Sequence, residues 1–346
     1  MNKAPVDLKG RSLVTLLDFT PQELRRLLDL AARLKSRRRA GGAGALLAGK
    51  NILLLFEKTS SRTRCAFELG AAEEGAHVTY VGPGTSQFGK KESLEDSARL
   101  FGRFYDAIGF RGYGSCETVR DLARFSGVPV WNGLTDDDHP TQILSDLMTM
   151  EEHLQKPLAE AKLVFCGDTR NNMAYAWIYG CAKMGMRFVG YGPKELTPDP
   201  AVSARAAAAA APGAEISFSD DAACLAGADV IYTDVWASMG EEDRIAEKAR
   251  LLAPYKVTQE LLARTGNDNV LFMHCLPAFH DFETSTAVAC RDLGVDIREV
   301  EDAVFRGKHS VVFDEAENRL HTIKAVMVAT LAEESAWADR VETASS

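Results

Sequence analysis

The sequence predicts an α/β protein built from two doubly wound parallel-sheet domains. Short apolar runs alternate with helical periodicity along the chain, which is typical of parallel α/β structure. The pattern starts again after Lys156-Pro157, and a length of 346 residues exceeds what one compact core usually holds. We therefore expect a first domain over residues 1–149 and a second domain from residue 150 onward.

The strands of the first domain follow from apolar runs bounded by polar or glycine-containing breaks. Their predicted ranges are 52–56, 78–81, 107–110 and 128–131, with helices near 62–74, 92–104 and 117–126. Residues 140–154 predict a further helix, because their apolar side chains recur mostly on one side. The polar, glycine-rich segment 82–93 is expected to be a loop.

The second domain repeats this alternation. Its predicted strands are 163–166, 188–191, 230–233 and 270–273. The alanine run 206–211 predicts a helix that Pro212 ends, and 237–243, which directly follows a strand, predicts a loop. A long helix, about 319–336, closes the pattern, and its periodicity leaves open which domain it packs on.

The composition argues against several classes of protein. A hydrophobic share of 46%, a charged share of 26% and a net charge of −9 are those of a globular protein whose main partner is neither nucleic acid nor an anionic membrane. The seven cysteines are scattered and form no C-x-x-C pair, which fits a reducing cytosol better than a disulfide framework or a zinc site. With no signal-peptide core and no membrane-length apolar run, we expect a cytoplasmic protein without metal or cofactor.

The segment Ser60-Ser61-Arg62-Thr63-Arg64 has the residues of an anion site. It follows a predicted strand and opens a helix, where backbone N–H groups and the positive helix end meet. Hydroxyls and a guanidinium can make charge-assisted hydrogen bonds to phosphate oxygens. An exposed helix cap with incidental arginines remains an alternative. Because Arg62 and Arg64 lie on different helical faces, we expect Arg64 to be structural.

Two further polar sites lie at predicted strand ends of the first domain. His139-Pro140-Thr141-Gln142 begins a helix, where the histidine can donate to a carbonyl oxygen and Gln142 can accept from an amide. A capping histidine before a proline explains the same segment. Arg111 follows a strand at the edge where open α/β sheets bind ligands, although a single arginine there is often only a surface residue.

The second domain offers a different set. Asn171-Asn172 follows a predicted strand and starts a helix, Asp234 ends another strand, and Cys275 lies in an H-C-L-P segment that ends a third. Each has a plain alternative, since Asn and Asp cap helices and isolated cysteines usually pack in cores.

The joint occurrence of these sites favours function. Arg62, Arg111 and His139 in the first domain suit a dianion, whereas Asp234 and Asn172 in the second suit an ammonium and a carboxylate. The sequence therefore predicts a pocket for two substrates, one an anion and the other an amino acid.

Five segments in this order resemble the ornithine carbamoyltransferases of the aspartate/ornithine carbamoyltransferase family. They are S-x-R-T-R, H-P-T-Q, D-V-W-x-S-M-G, H-C-L-P-A-F-H-D and E-N-R-x-H-T-I-K-A-V-M-V-A-T-L. The resemblance runs from about residue 50 to residue 332. Ser61 stands where a threonine is usual but keeps the hydroxyl, and Lys90 stands where some relatives have histidine.

The resemblance implies an activity and a set of site residues. The implied reaction moves the carbamoyl group of carbamoyl phosphate to the side-chain amine of ornithine, within arginine metabolism and without a cofactor. Residues 1–149 with a returning helix, about 322–346, would bind carbamoyl phosphate, and 150–321 would bind ornithine. The implied carbamoyl phosphate ligands are Ser60, Ser61, Arg62, Thr63, Gln87, Arg111, His139, Gln142 and Arg319. The implied ornithine ligands are Asn172, Asp234, Ser238, Met239, Cys275 and Leu276.

Within these sets, Arg111, His139 and Cys275 would be the catalytic residues. Gln87 would reach the carbamoyl phosphate of a neighbouring subunit, in a homotrimer or a multiple of trimers with shared active sites. Taken without the resemblance, Arg319 at the predicted start of the last helix would equally suit a surface ion pair.

Other functions stay open at this point. The acceptor could be aspartate, putrescine or an N-acylated ornithine, and the S-M-G segment at 238–240 favours free ornithine. A dinucleotide-dependent dehydrogenase is disfavoured, because residues 167–172 lack the G-x-G-x-x-G pattern. A binding protein without catalysis is a third alternative. The sequence does not distinguish a biosynthetic direction from arginine breakdown.

Overall fold

A computed structural model describes residues 7–42, 44–85, 91–237, 244–335 and 337. The chain divides into two compact units, Met1–Met148 with Glu317–Ser346, and Thr149–Ala316. Each unit contains one sheet, and every strand pairing in the two sheets is parallel. The predicted α/β fold class is thereby confirmed. Among the described residues, no helix is both long enough and apolar enough to cross a membrane.

The first unit is a four-stranded sheet covered by helices. Its strands are β1 (Asn51–Phe56), β2 (His77–Val81), β3 (Ala107–Arg111) and β4 (Val130–Leu134), in the spatial order β2-β1-β3-β4. Its helices are α1 (Pro21–Arg39), α2 (Ser61–Glu73), α3 (Leu94–Phe104), α4 (Cys116–Ser126), the first part of α5 (Pro140–His153) and the later part of α12 (Val312–Leu331).

Strands β1, β3 and β4 of this sheet are buried, whereas the edge strand β2 is partly exposed. Burial on both faces explains why β1 reads as a continuous apolar run. On one face, Leu53 and Leu55 pack in a cluster with side chains of α3 and α4. On the other face, Phe67 of α2 stacks on Trp131 of β4 with ring centroids 5.9 Å apart. The indole of Trp131 donates to the hydroxyl of Thr330 at 3.0 Å, which holds the C-terminal helix α12 on the first unit.

The second unit has a five-stranded sheet. Its strands are β5 (Lys162–Cys166), β6 (Arg187–Tyr191), β7 (Glu215–Ser219), β8 (Val230–Thr233) and β9 (Leu271–His274), in the spatial order β7-β6-β5-β8-β9. Its helices are α6 (Asn172–Met184), α7 (Pro200–Ala208), α8 (Ile245–Leu252), α9 (Gln259–Ala263), α10 (Ser285–Asp292) and α11 (Asp302–Phe305).

Helices also cover both faces of the second sheet. Phe165 of β5 and Tyr232 of β8 stack at 5.8 Å on the face covered by α6, whose Trp177 meets Tyr232 edge-on at 5.3 Å. Val164 and Phe272 point to the opposite face, into a cluster with α9 and α11. The sheet is therefore doubly wound, as predicted.

The strand predictions were wrong at two places. The sequence analysis missed β7, whose residues EISFS alternate polar and apolar because this strand lies at the exposed edge of the sheet. It also placed the fourth strand at 128–131, whereas β4 is Val130–Leu134. The extension contains Asn132, a polar residue that is fully buried and whose side-chain amide donates to the Val14 carbonyl at 2.9 Å.

Helices α1, α7 and α12 also differ from prediction, and the sequence analysis assigned no helix to α8, α9, α10 or α11. The sequence analysis assigned no helix to α1, which starts at a capping box formed by Thr20 and Glu23. Helix α7 ends at Ala208 instead of continuing through the alanine run, because Ala211 donates its N–H to the Ala182 carbonyl at 2.8 Å. Helix α12 begins at Val312, before the predicted start near residue 319.

A glycine lies where α3 meets the last residue of α4. A Cβ at Gly102 would lie 1.9 Å from the Ser126 carbonyl oxygen, a contact that only backbone movement can relieve. We expect Gly102→Ala to lower the free energy of unfolding by about 1–3 kcal/mol despite the better helix propensity of alanine. Urea denaturation would measure the loss.

Gly70 of α2 provides the matched control. A Cβ there would meet the terminal methyl of Met327 at 3.0 Å, and a flexible side chain can move away. Gly70→Ala should therefore cost much less than Gly102→Ala. Equal stability of the two variants would contradict the close approach of α3 and α4.

Candidate active site

The first candidate site lies where β1 and β3 end, at the switch point of the strand order. In open α/β sheets this crevice at the carboxyl ends of the strands is the usual place for ligands. After β1, Ser60 caps α2 by accepting the N–H of Thr63 on its Oγ at 3.2 Å. The cap fixes the start of α2, so the positive helix end faces the same crevice.

The hydroxyl of Thr63 joins three separate parts of the first unit. This side chain is fully buried, and its Oγ1 accepts from Arg111 Nη1 at 3.4 Å and from Arg319 Nη2 at 2.8 Å. A hydroxyl oxygen has two lone pairs and one proton. With both lone pairs used by guanidiniums, the Thr63 proton remains to be donated, as an anion would require.

Arg319 lies inside helix α12, and its side chain is buried. Its Nη1 donates to Gln142 Oε1 at 2.8 Å, and Gln142 Nε2 donates to Asp146 Oδ1 at 2.8 Å. This chain fixes the orientation of the Gln142 amide. The alternative of a surface ion pair for Arg319 is wrong, because the helix starts earlier than predicted and turns this residue inward.

His139 is a buried, neutral imidazole. Burial lowers its pKa well below the ordinary value, and the charges of Arg319, Arg111 and Arg62 lower it further. A neutral ring has one N–H and one lone pair. The hydroxyl of Thr141 lies 3.3 Å from Nδ1, and when it donates to Nδ1 the ring proton is on Nε2, which then acts as a hydrogen-bond donor.

Asp138 is a second buried titratable group beside this site. Its Oδ1 accepts the N–H of His139 at 2.7 Å. Burial raises the pKa of Asp138 to about 7, and the nearby charge of Asp137 acts in the same direction, against the hydrogen bond from Thr15.

Arg64 has the structural role that its spacing predicts. Its Nε donates to Glu68 at 2.8 Å, and its guanidinium lies over the ring of Tyr80 at 3.7 Å. The two arginines of the S-x-R-T-R segment therefore have separate surroundings, since Arg62 contributes to the field at His139.

The second candidate site lies at the carboxyl ends of β5, β8 and β9, again at the switch point of the strand order. Its centre is the carboxylate of Asp234, which is largely buried. Oδ1 accepts from the Cys275 thiol at 3.2 Å and from the Val235 N–H at 2.8 Å, while Oδ2 accepts from Asn171 Nδ2 at 3.3 Å. Burial raises the pKa of Asp234 above its ordinary value, so a cationic ligand would stabilise the carboxylate.

Two neighbouring asparagines have different positions in the second site. Asn171 is the N-cap of α6 and accepts the Ala174 N–H at 2.8 Å on its Oδ1. Asn172 is the first residue of the helix. The sequence analysis treated this pair as a cap and a ligand candidate, and it missed that Asn171 also orients Asp234. Nothing in the local sequence signals that contact, because 63 positions separate the two residues.

Four predicted positions lie outside the described residues. They are the candidate ligands Gln87, Ser238 and Met239, and the substituted position Lys90. The candidate ligands Ser61 and Leu276 are described, the first as the opening residue of α2 and the second directly after Cys275.

Two groups of described residues bring three possible metal-ligand atoms within 4.8 Å of one another, namely Asp234, His274 and Cys275, and His280, Asp281 and Asp302. In the first group, the ring nitrogens of His274 are engaged with Glu299 at 3.0 Å and with the Leu276 N–H at 2.9 Å. In the second group, the Arg306 guanidinium contacts both carboxylates and competes with a cation.

The fold and the two sites together define a class of protein. It consists of two parallel-sheet α/β units, one with a site suited to an anion and the other with a site suited to an amine.

Comparison with protein families gives this class a name. The model of the aspartate/ornithine carbamoyltransferase carbamoyl-P binding domain matches residues 11–152. The model of the Asp/Orn binding domain of the same family matches residues 159–330. The chain therefore belongs to the aspartate/ornithine carbamoyltransferase family.

Individual relatives agree with this assignment. A catabolic ornithine carbamoyltransferase of Clostridium perfringens is 62% identical over 329 residues, which cover 94% of this chain and 98% of that protein. Ornithine carbamoyltransferase 1, catabolic, of Staphylococcus epidermidis is 53% identical over 331 residues, with 94% and 99% covered. The solved structure of the Pyrococcus furiosus ornithine carbamoyltransferase superposes with a TM-score of 0.85 at 36% identity and covers 94% of this chain and 99% of that chain.

The pKa of Asp138 predicts a pH-dependent stability. The folded-state pKa is raised to about 7, so the stabilisation of the protonated form is present at low pH and is lost as pH rises to about 7. Relative to Asp138→Asn, which cannot ionise, the unaltered protein should lose up to about 1.4 kcal/mol of unfolding free energy per pH unit between pH 5 and 7.

Urea denaturation of both proteins at pH 5, 6, 7 and 8 would measure this difference. Above the folded-state pKa the two curves should run parallel. A difference that stays constant from pH 5 to 8 would show that Asp138 does not titrate in this range.

Proposed function

We propose that this protein transfers the carbamoyl group of carbamoyl phosphate to the side-chain amine of L-ornithine, giving L-citrulline and phosphate. The observation that carries the proposal is the cluster of guanidiniums around the Thr63 hydroxyl and the neutral His139. The relatives named ornithine carbamoyltransferase, which match over almost the whole chain, support the same reaction.

The phosphate end of carbamoyl phosphate would bind at the start of α2. Backbone N–H groups, the Ser60 and Thr63 hydroxyls and the Arg62 guanidinium supply donors and positive charge. Ser61 would add a further hydroxyl, and Gln87 of a neighbouring subunit would complete the site.

The carbamoyl end would bind to Arg111 and His139, with Gln142 and Arg319 beside them. A neutral imidazole can donate to the carbonyl oxygen without placing another cation in a cationic pocket. As the amine attacks, negative charge grows on that oxygen, and fixed donors such as Arg111, His139 and Thr63 stabilise it most in the transition state. The Gln142 contact holds the Arg319 guanidinium in place.

Ornithine would bind in the second unit. The α-ammonium would pair with the buried carboxylate of Asp234, whose raised pKa would then fall. The further ligands we propose for ornithine are Asn172, Ser238, Met239, Cys275 and Leu276. The Cys275 thiol is held against Asp234, so the residue beside the reacting amine and the residue that pairs with the α-ammonium are fixed together.

The reaction needs a neutral amine, because an ammonium has no lone pair. At neutral pH roughly one alkyl amine in a thousand is neutral, given a pKa of about 10.4. Nearby positive charge and exclusion of water both favour the neutral form. Attack on the carbonyl carbon gives a tetrahedral centre, and the bond from that carbon to the phosphate oxygen then breaks. Phosphate leaves with its charge stabilised by Arg62 and the start of α2, and it takes up the proton that the amine nitrogen loses. Alignment of the reacting atoms can contribute about 7–11 kcal/mol.

The proposal also includes a cellular location and a metabolic direction for the reaction. The proposed location is the cytoplasm, which the seven free cysteines support. The designation of two relatives as catabolic favours a role in arginine breakdown. Other acceptors, such as putrescine or an N-acylated ornithine, are tested by assaying citrulline formation from ornithine beside carbamoylation of those amines.

The proposal divides the two substrates between Arg62 and Asp234. Arg62→Ala should lower kcat/KM for carbamoyl phosphate about 100-fold or more, because a preorganised donor to developing charge is lost. Asp234→Asn should lower the affinity for ornithine about 10- to 150-fold, because one charge-assisted hydrogen bond is lost. Steady-state kinetics with each substrate varied in turn would measure both effects.

The matched control is Arg64→Ala, two positions along the same helix. Arg64 contacts Glu68 and Tyr80, so its loss should change turnover little. If Arg62→Ala and Arg64→Ala behave alike, or if Asp234→Asn weakens both substrates equally, the proposed division of roles fails.

We also propose a homotrimer, or a multiple of trimers, in which Gln87 completes a neighbour's site. Arg62→Ala and Gln87→Ala should each be impaired, since each removes a phosphate ligand. When the two are unfolded, mixed in equal amounts and refolded together, about a quarter of the sites should be intact under cyclic symmetry. Activity should then rise well above the mean of the two parents. Activity that stays at that mean would place Gln87 within its own chain's site or outside any site.

A further inference from the structure

Leu276 has a backbone conformation that side-chain-bearing residues rarely adopt. Its φ is +55°, and it is the one non-glycine residue with positive φ in the part of the chain that the structure describes. The left-handed region is unfavourable for an L-residue, above all a branched one. Such a conformation persists only where the surroundings impose it, and it occurs preferentially at functional sites.

The imidazole of His274 imposes the conformation of Leu276. The Leu276 N–H donates to Nδ1 at 2.9 Å, and Nε2 lies 3.0 Å from Glu299 Oε1. Because Nδ1 accepts a hydrogen bond, the ring proton is on Nε2 and is donated to Glu299. Both side chains are fully buried, so solvent does not compete for these bonds.

Glu299 also fixes the far end of the same segment. Its Oε1 accepts the N–H of Phe279 at 2.7 Å in addition to the bond from His274. One carboxylate oxygen therefore holds the chain on both sides of Leu276. At the β9 end of the segment, the backbone N–H of His274 donates to Glu315 Oε2 at 2.9 Å.

Stability alone does not explain this arrangement. Burial of a carboxylate and an imidazole is costly, and apolar residues of similar volume often stabilise a core better. The polar pair fixes the backbone conformation of this segment, because its hydrogen bonds are directional. The segment carries Cys275, whose thiol is held 3.2 Å from Asp234.

We propose that His274 and Glu299 are positioning residues, which hold the backbone of Cys275 and Leu276 in the one conformation that aligns the acceptor amine for attack. This inference rests on the proposed carbamoyl transfer to ornithine. Neither residue touches substrate, and each acts through the segment 275–279. Loss of the pair lowers kcat, because the amine is misaligned, while the KM for carbamoyl phosphate stays unchanged.

Two isosteric substitutions of His274 separate its two hydrogen bonds. His274→Asn keeps an acceptor near the position of Nδ1, so it retains the hydrogen bond from the Leu276 N–H and loses the hydrogen bond to Glu299. His274→Gln keeps a donor near the position of Nε2, so it retains Glu299 and loses the Leu276 bond. We expect kcat to fall about 100-fold in His274→Gln, the effect of a small misplacement of a reacting group, and clearly less in His274→Asn.

Glu299 provides a second pair that does not alter the ring. Glu299→Gln keeps a side-chain oxygen for the two donors, and Glu299→Ala removes it. We propose that Glu299 acts by accepting these two hydrogen bonds and not by its charge. Glu299→Gln should therefore keep kcat within about threefold, whereas Glu299→Ala should lower kcat about tenfold or more. This pair also decides the question if the His274 variants fail to fold.

His309 is the matched control, because it lies near the opposite end of β9 and its Nδ1 bonds to the Val270 carbonyl at 2.9 Å. His309→Asn should leave kcat unchanged. Each variant is compared by kcat, by KM for both substrates and by melting temperature.

The outcomes separate the two levels of the argument. If the unaltered protein forms no citrulline from ornithine, the proposed function fails. If it does form citrulline, but the His274 and Glu299 variants match its kcat or lose no more than His309→Asn, the positioning role is overturned. A loss of kcat in His274→Gln and Glu299→Ala, with an unchanged KM for carbamoyl phosphate and rescue by Glu299→Gln, supports it.

Discussion

The first unit depends on the buried hydroxyl of Thr63. Its oxygen accepts from Arg111 and Arg319, which are 48 and 256 positions away in the chain. Arg111 reaches it because β1 and β3 pair in a register that places Phe56 opposite Arg111. Arg319 reaches it because α12 packs on α2, where Gly70 leaves room for Met327. The hydrogen bonds of this one side-chain oxygen therefore depend on the register of the sheet, on the cap of α2 and on the return of the last helix to the first unit.

The candidate sites of the two units suit opposite charges, but both lie at the carboxyl edge of a parallel sheet. Parallel strands place their carboxyl ends at one edge, and the order of the strands opens a crevice there. In the first unit this edge carries a helix start and guanidiniums, and burial together with the charges of Arg319, Arg111 and Arg62 lowers the pKa of His139. In the second unit it carries Asp234, whose pKa burial raises. An anion bound at the first edge would offset the positive charge there, and a cation bound at the second edge would stabilise the buried carboxylate of Asp234.

In two buried histidines, the hydrogen-bond partner of Nδ1 bears on which ring nitrogen carries the proton. In His139 the Nδ1 atom faces the Thr141 hydroxyl, and in His274 it accepts the Leu276 N–H. The Leu276 N–H leaves Nε2 of His274 as the donor, and a Thr141 hydroxyl that donates to Nδ1 leaves Nε2 of His139 as the donor. We assign the first ring to the substrate carbonyl and the second to the backbone beside Cys275, so similar chemistry serves binding in one unit and positioning in the other.

The sequence by itself determined the fold class, because buried parallel strands must read as short apolar runs between helices. It also indicated the anion and amine sites, since a hydroxyl–arginine segment at a helix start and a carboxylate at a strand end carry their chemistry locally. It failed where burial, and not local pattern, sets the outcome. The edge strand β7 alternates polar and apolar residues, and β4 contains a buried asparagine whose partner is the carbonyl of Val14.

Only the tertiary structure decided the partners of these groups. The inward orientation of Arg319, the contact of Asn171 with Asp234 and the pairing of His274 with Glu299 join residues that are 25 to 256 positions apart. No local pattern encodes such a contact, because it depends on strand order and helix packing across the whole unit. Residue types determine which chemistry is possible, and packing determines which atoms meet.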